Sequence, residues 1–126
     1  MKIKTSELID AALEWAVAKC EGTLKHYVQP NEKRGTTVWE ATPQTRRYSS
    51  VWSQGGPIID REIGNLWKHN KLDPNEPDVW TAAAYRKAPD GTMLYYEDGP
   101  TPLIAAMRCF VSSKLGDEVD VPEELL

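Results

Sequence analysis

The segment Tyr48–Glu62, with the sequence YSSVWSQGGPIIDRE, decides how the middle of this chain folds. Its pair of glycines stands directly before Pro57, so the two most flexible residues precede the stiffest one. Proline is tolerated in the first turn of a helix, where its missing N–H would have no intrahelical partner. We therefore predict a helix that begins between Ser53 and Pro57 and continues to about Ile63, with the glycine pair at its N-terminal end.

Two hairpins are predicted, one on each side of this helix. In residues 23–41 the strands TLKHYVQ and TTVWEA flank the turn sequence PNEKRG, and in residues 79–98 the strands VWTAAAYRK and TMLYYED flank APDG. β-Branched and aromatic residues favour strands, whereas Pro, Asn, Asp and Gly favour turns. Residues 64–78 have the composition of a loop, and no strand is predicted there.

Helices are also predicted near both ends of the chain. In the first, Thr5 or Ser6 would cap the N-terminus and Gly22 would end the helix. Its apolar stripe consists of Leu8, Ala12, Trp15, Ala16 and Cys20. The last helix is predicted over residues 101–116, where a threonine cap is followed by proline and the helix stops at glycine.

These elements predict an α+β fold with the order α-β-β-α-β-β-α. Two hairpins can share one antiparallel sheet, so we expect a four-stranded sheet with the helices packed on its faces. Residues 1–116 would form a single domain, and residues 117–126 would form an acidic C-terminal tail.

Composition limits the classes of function. The chain has 126 residues, 40% of them hydrophobic and 27% charged, which is typical of one globular domain. Its net charge of −4 argues against a nucleic-acid-binding protein, although residues 22–71 carry eight Lys or Arg against four Asp or Glu. Five Trp and five Tyr favour a ligand site or an interface. No signal peptide or membrane span is predicted.

Residues that could carry catalysis or bind a metal do not form a recognisable motif. His26 and His69 lack metal-ligand spacing, and Cys20 and Cys109 lie among apolar neighbours, which favours buried, reduced thiols. The carboxylates that could in principle act as a general acid and base are Asp60, Glu62, Glu97 and Asp98. Ordinary surface and turn contacts explain them better, so we predict no catalytic residue, no metal and no cofactor.

Anion binding is better supported by the sequence. A helix N-terminus offers free N–H groups and a partial positive charge, and the sequences SQGGP and GPTP indicate two such ends. The candidate ligand-binding residues are Arg46, Arg47, Tyr48, Ser49, Ser50, Trp52, Gln54, Gly55, Gly56 and Thr101. Guanidinium groups and hydroxyls can bind phosphate and indole can stack on a base, which suits a small, anionic, nucleotide-like ligand. A purely structural interpretation, with serine as a cap and glycine for close packing, remains open.

Three blocks of the sequence carry a family resemblance: MKIKTSELIDAALEWAVAKCEG, YSSVWSQGGPIIDRE and GPTPLIAAMRCFVSSKLGDEVDVPEEL. They resemble the NinX family of small proteins from temperate phages of enteric bacteria. The order of the helices also resembles, more faintly, the phage ABA sandwich domain with helices on both sides of a sheet. The NinX resemblance implies a phage accessory protein in the cytoplasm of the infected host, and it brings no catalytic residues.

Three hypotheses for function follow from these observations. The first is a non-enzymatic homo-oligomer that sequesters a nucleotide-like signal of host immunity. The second is a protein-interaction module that binds a host or phage protein through the acidic tail and exposed aromatic residues. The third, nucleic-acid binding through the basic centre, is disfavoured by the acidic end of the chain.

Overall fold

The computed structural model describes residues 1–22, the strand pairs 27–28 and 37–38, and residues 47–126. The helices within these ranges are α1 (Asp10–Glu21), α2 (Trp52–Glu62) and α3 (Pro102–Leu115). The strands are β1 (Lys2–Lys4), β2 (Tyr27–Val28), β3 (Thr37–Val38), β4 (Asn65–Lys68), β5 (Trp80–Ala88), β6 (Gly91–Gly99) and β7 (Glu118–Asp120). Short 3-10 helices cover Thr5–Glu7 and Glu123–Leu125.

The α+β class is confirmed, but the prediction of a single four-stranded sheet is wrong. The main sheet has three antiparallel strands in the order β4-β5-β6, while β1-β7 and β2-β3 form separate two-stranded ladders. The third strand of the main sheet, β4, lies in the segment that was predicted to be a loop. Its four residues are too few to show an alternating pattern, and polar residues surround it.

Helix α3 lies against one face of the three-stranded sheet, and α1 and α2 pack on α3. Small residues make the contact between helix and sheet close. Ala82 and Ala84 are fully buried, and a Cβ at Gly99 would lie 2.6 Å from the backbone nitrogen of Ala105. The buried core between α1 and α3 includes Leu13, Trp15, Val17, Met107 and Phe110.

The opposite face of the three-stranded sheet, here called the outer face, carries exposed aromatic and aliphatic side chains. They are Trp67, Tyr85, Leu94 and Tyr96, placed on one face by the register of β4, β5 and β6. No described helix covers this face, so the prediction that helices would pack on the faces of the sheet holds for one face only. The rings of Trp67 and Tyr96 meet edge to face, 6.3 Å apart.

Helix α1 begins later than predicted. Residues 5–7 form a 3-10 turn and the α-helix begins at Asp10, so neither Thr5 nor Ser6 caps it. The hydroxyl of Thr5 is buried and donates a hydrogen bond to the carbonyl oxygen of Gly116 at 2.7 Å, which ties it to the end of α3 instead. The predicted end is confirmed, because Gly22 adopts the left-handed conformation with φ 73° and terminates the helix.

The C-terminal segment 117–126 packs onto the rest of the fold. Strand β7 pairs with β1 in antiparallel register, with Val119 opposite Ile3. Val119 and Val121 are buried and belong to the core cluster. The acidic residues of this segment alternate with them and face solvent.

Candidate functional site

The start of α2 is fixed by the turn that precedes it. The backbone N–H groups of Ser50 and Val51 both donate to the carbonyl oxygen of Arg47, at 3.2 and 2.9 Å. The side-chain amide of Gln54 reaches back, and its Oε1 accepts a hydrogen bond from the backbone N–H of Arg47 at 2.7 Å. These contacts close the turn, so that the helix begins at Trp52.

The predicted start of this helix, between Ser53 and Pro57, is therefore too late. Pro57 is the sixth residue of α2 rather than part of its first turn, and its exposed ring faces solvent. The N–H of Gly55 already donates to the carbonyl oxygen of Val51 at 3.0 Å. The interpretation of the glycine pair as bare amides at the helix N-terminus is wrong, because the turn before Trp52 starts the helix earlier.

The two glycines have different surroundings. A Cβ at Gly55 would lie 2.3 Å from the carbonyl oxygen of Tyr48 and 2.5 Å from Cδ2 of Leu103. A Cβ at Gly56 would meet no atom within 4 Å. The structural interpretation therefore applies to Gly55, which allows α2 to approach both the preceding turn and α3 closely.

Helix α3 begins as predicted. The side chain of Thr101 accepts a hydrogen bond from the N–H of Ile104 at 3.1 Å, and Pro102 takes the first helical position. The backbone oxygen of Thr101 also accepts the N–H of Ala105 at 3.0 Å, the first intrahelical bond. Thr101 therefore fixes the direction in which the first turn of α3 leaves the sheet.

The N-terminal ends of α2 and α3 meet at a cleft of about 310 Å³, here called the α2–α3 cleft. Its lining residues are Ser49, Ser50, Trp52, Thr101, Pro102, Leu103 and Ile104. Four of these, Ser49, Ser50, Trp52 and Thr101, belong to the predicted set. The indole of Trp52 is 55% exposed and forms one wall, whereas Leu103 is buried and belongs to the floor.

The other described members of the predicted set do not line the cleft. Tyr48, Gln54 and Gly55 support it from behind, and Gly56 lies one position further along α2. Arg47 is exposed and its backbone closes the turn before α2. Arg46 lies outside the described residues. The first-turn residues Pro102, Leu103 and Ile104 were not predicted, because an apolar helix start looks the same in sequence whether it lines a cleft or a core.

A buried carboxylate beneath the cleft was also missed. Oε1 of Glu14, on α1, accepts a hydrogen bond from the backbone N–H of Ser49 at 2.9 Å. Burial raises the pKa of Glu14 above its ordinary value, although hydrogen bonding to Ser49 and the positive charge of Arg47 partly oppose that rise. A signal was present in the sequence, because Glu14 interrupts an otherwise apolar run between Leu13 and Trp15.

Replacement of Glu14 by glutamine is expected to change how stability depends on pH. Because the pKa of Glu14 is raised in the folded state, its ionisation costs free energy, and the native protein loses stability as pH rises from about 4.3 through the folded pKa. Glu14→Gln removes this loss and keeps an oxygen for the N–H of Ser49. Urea unfolding between pH 4 and pH 8, roughly the range that covers the shift, should show a free energy of unfolding that depends less on pH in the variant.

Glu14→Ala is the control, since it leaves the same N–H unpaired and should be less stable than Glu14→Gln. A profile for Glu14→Gln that parallels the native one would contradict the assignment.

Comparison with models of known protein families identifies the family to which this chain is similar. The sequence model of the family described as Bacteriophage P22, NinX matches residues 4–114, which is most of the 126-residue chain. The chain belongs to the NinX family. The match confirms the resemblance drawn from the three sequence blocks, and it extends across both predicted hairpins. No curated protein sequence matches this NinX chain.

Several other chemically active side chains in the described part of this NinX protein have structural roles, whereas His26 lies outside the described residues. His69 and Asp98 both contact the hydroxyl of Thr81, at 2.5 Å each, on the outer face. Burial raises the pKa of both Cys20 and Cys109 to about 12, which makes thiolate chemistry unfavourable near neutral pH. Over residues 1–22 and 47–126, no group of three His, Cys, Asp or Glu has metal-binding geometry. None of the described helices is both long and apolar enough to cross a bilayer.

Proposed function

We propose that this NinX protein is a non-enzymatic binding protein that holds a small, anionic, nucleotide-like ligand in the α2–α3 cleft. In this proposal the protein acts in the cytoplasm of the infected bacterium and works as a homo-oligomer. A nucleotide-derived signal of host immunity is the ligand class we favour, because a phage gains from removing such a signal by sequestration. Membership of a phage family supplies the context for this choice.

One observation carries the proposal: the N-terminal ends of two long helices and an exposed indole line the same cleft. Both helices begin beside this cleft, so the positive ends of their dipoles lie next to it. The N–H groups of Gln54, Ile104 and Ala105 already have partners within the two turns. Two converging helix ends favour a negatively charged group more than either end alone.

The other lining residues suit the rest of such a ligand. The half-exposed ring of Trp52 can stack on a planar base, a contact worth about 1–3 kcal/mol for exposed bases. Hydroxyls of Ser50 and Thr101 can donate to phosphate oxygens, and Leu103 offers an apolar surface. The side chain of buried Ser49 is already hydrogen-bonded to Glu14. The described lining contributes no titratable side chain, and this composition supports binding better than acid–base or nucleophilic catalysis.

Glu14 opposes the anionic part of the ligand. Its carboxylate lies one hydrogen bond behind Ser49, so its negative charge repels an anion in the cleft. An uncharged Glu14 should therefore favour binding. This reasoning gives the proposal a second test that does not depend on Trp52.

The experiment is equilibrium dialysis or calorimetry of the full chain with cyclic dinucleotides, ADP-ribose derivatives and inorganic phosphate. We expect at least one nucleotide to be retained, and Trp52→Ala to weaken its binding by about tenfold or more because stacking is lost. Trp67→Ala is the matched control, since that indole is 41% exposed but lies on the outer face. Glu14→Gln should bind the same nucleotide more tightly than the native protein.

Failure to retain any member of this set by folded protein would rule out the proposed ligand class. Equal losses for Trp52→Ala and Trp67→Ala would remove the α2–α3 cleft as the site. Retention of phosphate alone would favour a general anion site over a nucleotide site.

The alternative of an acidic docking tail has less support from the geometry. Val119 and Val121 are buried, and β7 pairs with β1, so residues 117–126 are not a free peptide available to a partner. Nucleic-acid binding through the basic centre has less support, because the acidic end of the chain opposes it. Lys25, Lys33, Arg34 and Arg46 of that centre lie outside the described residues.

A further inference from the structure

Strand β6 lies at an edge of the three-stranded sheet. Among the described residues it pairs only with β5, along all nine positions from Gly91 to Gly99. In an antiparallel pair, alternate residues direct their N–H and C=O groups away from the neighbouring strand. The outer edge of β6 therefore presents a row of backbone donors and acceptors without a described strand partner.

Most of this edge lacks the features that usually prevent pairing with another chain. The exception is the end near Asp98, whose carbonyl oxygen accepts a hydrogen bond from Arg108 of α3 at 2.9 Å. Natural edges are protected by charged side chains, proline, bulges or short length. The first six residues of β6, GTMLYY, contain neither charge nor proline. Leu94 is 40% exposed and Tyr96 is 55% exposed on the outer face, and Met93 is exposed on the other face. The opposite edge differs, because β4 has only four residues and ends at Lys68.

We propose that β6 pairs in antiparallel orientation with β6 of a second copy of this chain. The two copies would be related by a two-fold axis perpendicular to the strands, and the two sheets would join into one sheet of six strands. An antiparallel strand is complementary to its own copy, because each backbone donor on one strand meets an acceptor at the symmetric position of the other.

Charge distribution on the outer face favours a second copy as the occupant. Lys87 lies beside Thr92 at the hairpin end of the sheet, and Asp98 lies at the other end of the same face. Antiparallel pairing brings the Asp98 end of one copy to the Lys87 end of the other, where Lys87 lies one strand back from the junction, about 10 Å from the partner strand. In this arrangement Glu97 and Asp98 of one copy lie at the opposite end of the junction from Glu97 and Asp98 of the other copy. These like charges are therefore kept apart.

Apolar burial adds to the backbone hydrogen bonds. Side chains on neighbouring strands and on the same face come within about 5.5 Å between Cβ atoms. Leu94 and Tyr96 of one copy would therefore contact Leu94 and Tyr96 of the other across the junction. Helix α3 need not move, since Cys109 Sγ contacts the carbonyl oxygen of Tyr95 from the inner side at 3.3 Å. The contact of Arg108 with β6 is at the carbonyl oxygen of Asp98, beyond the central stretch around Leu94.

This inference gives a specific surface to the homo-oligomer of the proposed function, but it does not depend on ligand binding. The two ideas have separate measurements, because one predicts a molar mass and the other predicts ligand retention. A dimer without a ligand, or a ligand bound to a monomer, would distinguish them.

The first test measures the molar mass of the full chain by sedimentation equilibrium up to roughly 1 mM. We expect about twice the chain mass of 14.2 kDa. Leu94→Lys should weaken association by about tenfold or more, because it places like charges near the two-fold axis. Leu72→Lys is the matched control: Leu72 is 99% exposed in the loop after β4 and should leave the mass unchanged. A mass of 14.2 kDa at every concentration, or a dimer that survives Leu94→Lys, would overturn the proposal.

The second test uses disulfide cross-linking to distinguish the edge of the sheet from its outer face. Leu94→Cys and Tyr96→Cys should form covalent dimers under mild oxidation, most strongly at the position nearest the two-fold axis. Tyr85→Cys lies on the same face but on the central strand β5, and it should not cross-link. Cross-linking at position 85 as strong as at 94 or 96 would show face-to-face packing and overturn the edge assignment. Half-buried Cys20 and buried Cys109, with pKa values raised to about 12, should not compete.

Discussion

Replacement of Gly55 by alanine is expected to lower the free energy of unfolding by about 3 kcal/mol. A methyl group at this position would overlap the carbonyl oxygen of Tyr48 at 2.3 Å and Cδ2 of Leu103 at 2.5 Å. Leu103 can adjust its side chain, but the Tyr48 carbonyl is part of the backbone and can move only with the turn. Urea denaturation at neutral pH measures the loss, and thermal unfolding should fall by about 10 °C.

The neighbouring glycine provides a matched control for this prediction. A methyl group at Gly56 meets no atom within 4 Å, so Gly56→Ala removes only the conformational freedom of glycine in a helix. We expect Gly56→Ala to raise the free energy of unfolding by about 0.5–1 kcal/mol. If both variants have the same stability, α2 does not pack against Tyr48 and Leu103 as described.

The same contact determines the shape of the α2–α3 cleft. Gly55 lies behind the cleft, and its missing side chain allows the Trp52 end of α2 to approach the first turn of α3. Gly55→Ala should therefore impair ligand binding as well as stability. Gly56→Ala should leave ligand binding unchanged, which separates the two roles that the sequence suggested for the glycine pair.

The sequence predicted the helices well where a cap or a stop is local. Gly22 ends α1 and Thr101 caps α3, as expected from residues that act on their immediate neighbours. The start of α2 was misplaced because it depends on Gln54 reaching back to the backbone of Arg47, a contact that no helix-start pattern specifies. The start of α1 was misplaced because Thr5 bonds to Gly116, which is 111 positions away in the chain.

The sheet was harder to predict than the helices. Strand β4 has four residues, of which only Leu66 packs against the core, so its identity depends on pairing with β5. Such pairing joins residues about 15 positions apart, so a local sequence pattern does not predict it. The predicted first hairpin is represented in the described residues by the short β2–β3 ladder, which does not join the main sheet.

The candidate site was predictable where it depends on local motifs and not where it depends on distant contacts. Ser49, Ser50, Trp52 and Thr101 were identified from two helix-start motifs, and the fold brings those motifs together at one cleft. Glu14 was not identified, because its contact with Ser49 joins α1 to a turn 35 residues later. Local chemistry can be read from the sequence, whereas the partners that tune it come from tertiary contacts.

A cluster of ion pairs around Glu62 joins α2 to the sheet and to both other helices. Its Oε1 accepts from Arg86 of β5 and its Oε2 from Arg61, each at 2.6 Å. Arg61 also donates a hydrogen bond to the carboxylate of Glu21 at the end of α1, and Arg86 donates to the hydroxyl of Ser113 on α3 at 2.8 Å. Glu62 is only 12% exposed, so it is the least solvated charge in the cluster and both guanidinium groups converge on it.

The pKa of Glu62 reflects this balance. Burial acts to raise the pKa, but the hydrogen bonds from Arg61 and Arg86 outweigh it and hold the pKa below its ordinary value. A depressed pKa means that ionised Glu62 stabilises the folded state. That stabilisation is complete above the unfolded pKa of about 4.3 and is lost as pH falls through the lower folded value.

Replacement of Glu62 by alanine is therefore expected to lower the free energy of unfolding by about 2 kcal/mol at pH 7. The loss stays below the range for fully buried pairs because Arg61 is about half exposed and regains water. The difference between native protein and Glu62→Ala, measured by urea unfolding, should shrink below pH 4.3 or so as Glu62 becomes protonated. Asp78→Asn is the control, since exposed Asp78 pairs with Lys71 at 2.8 Å in solvent and its loss should leave stability unchanged. If Asp78→Asn costs as much as Glu62→Ala, or if the difference at Glu62 is independent of pH, general surface charge rather than this cluster holds α2 against the sheet.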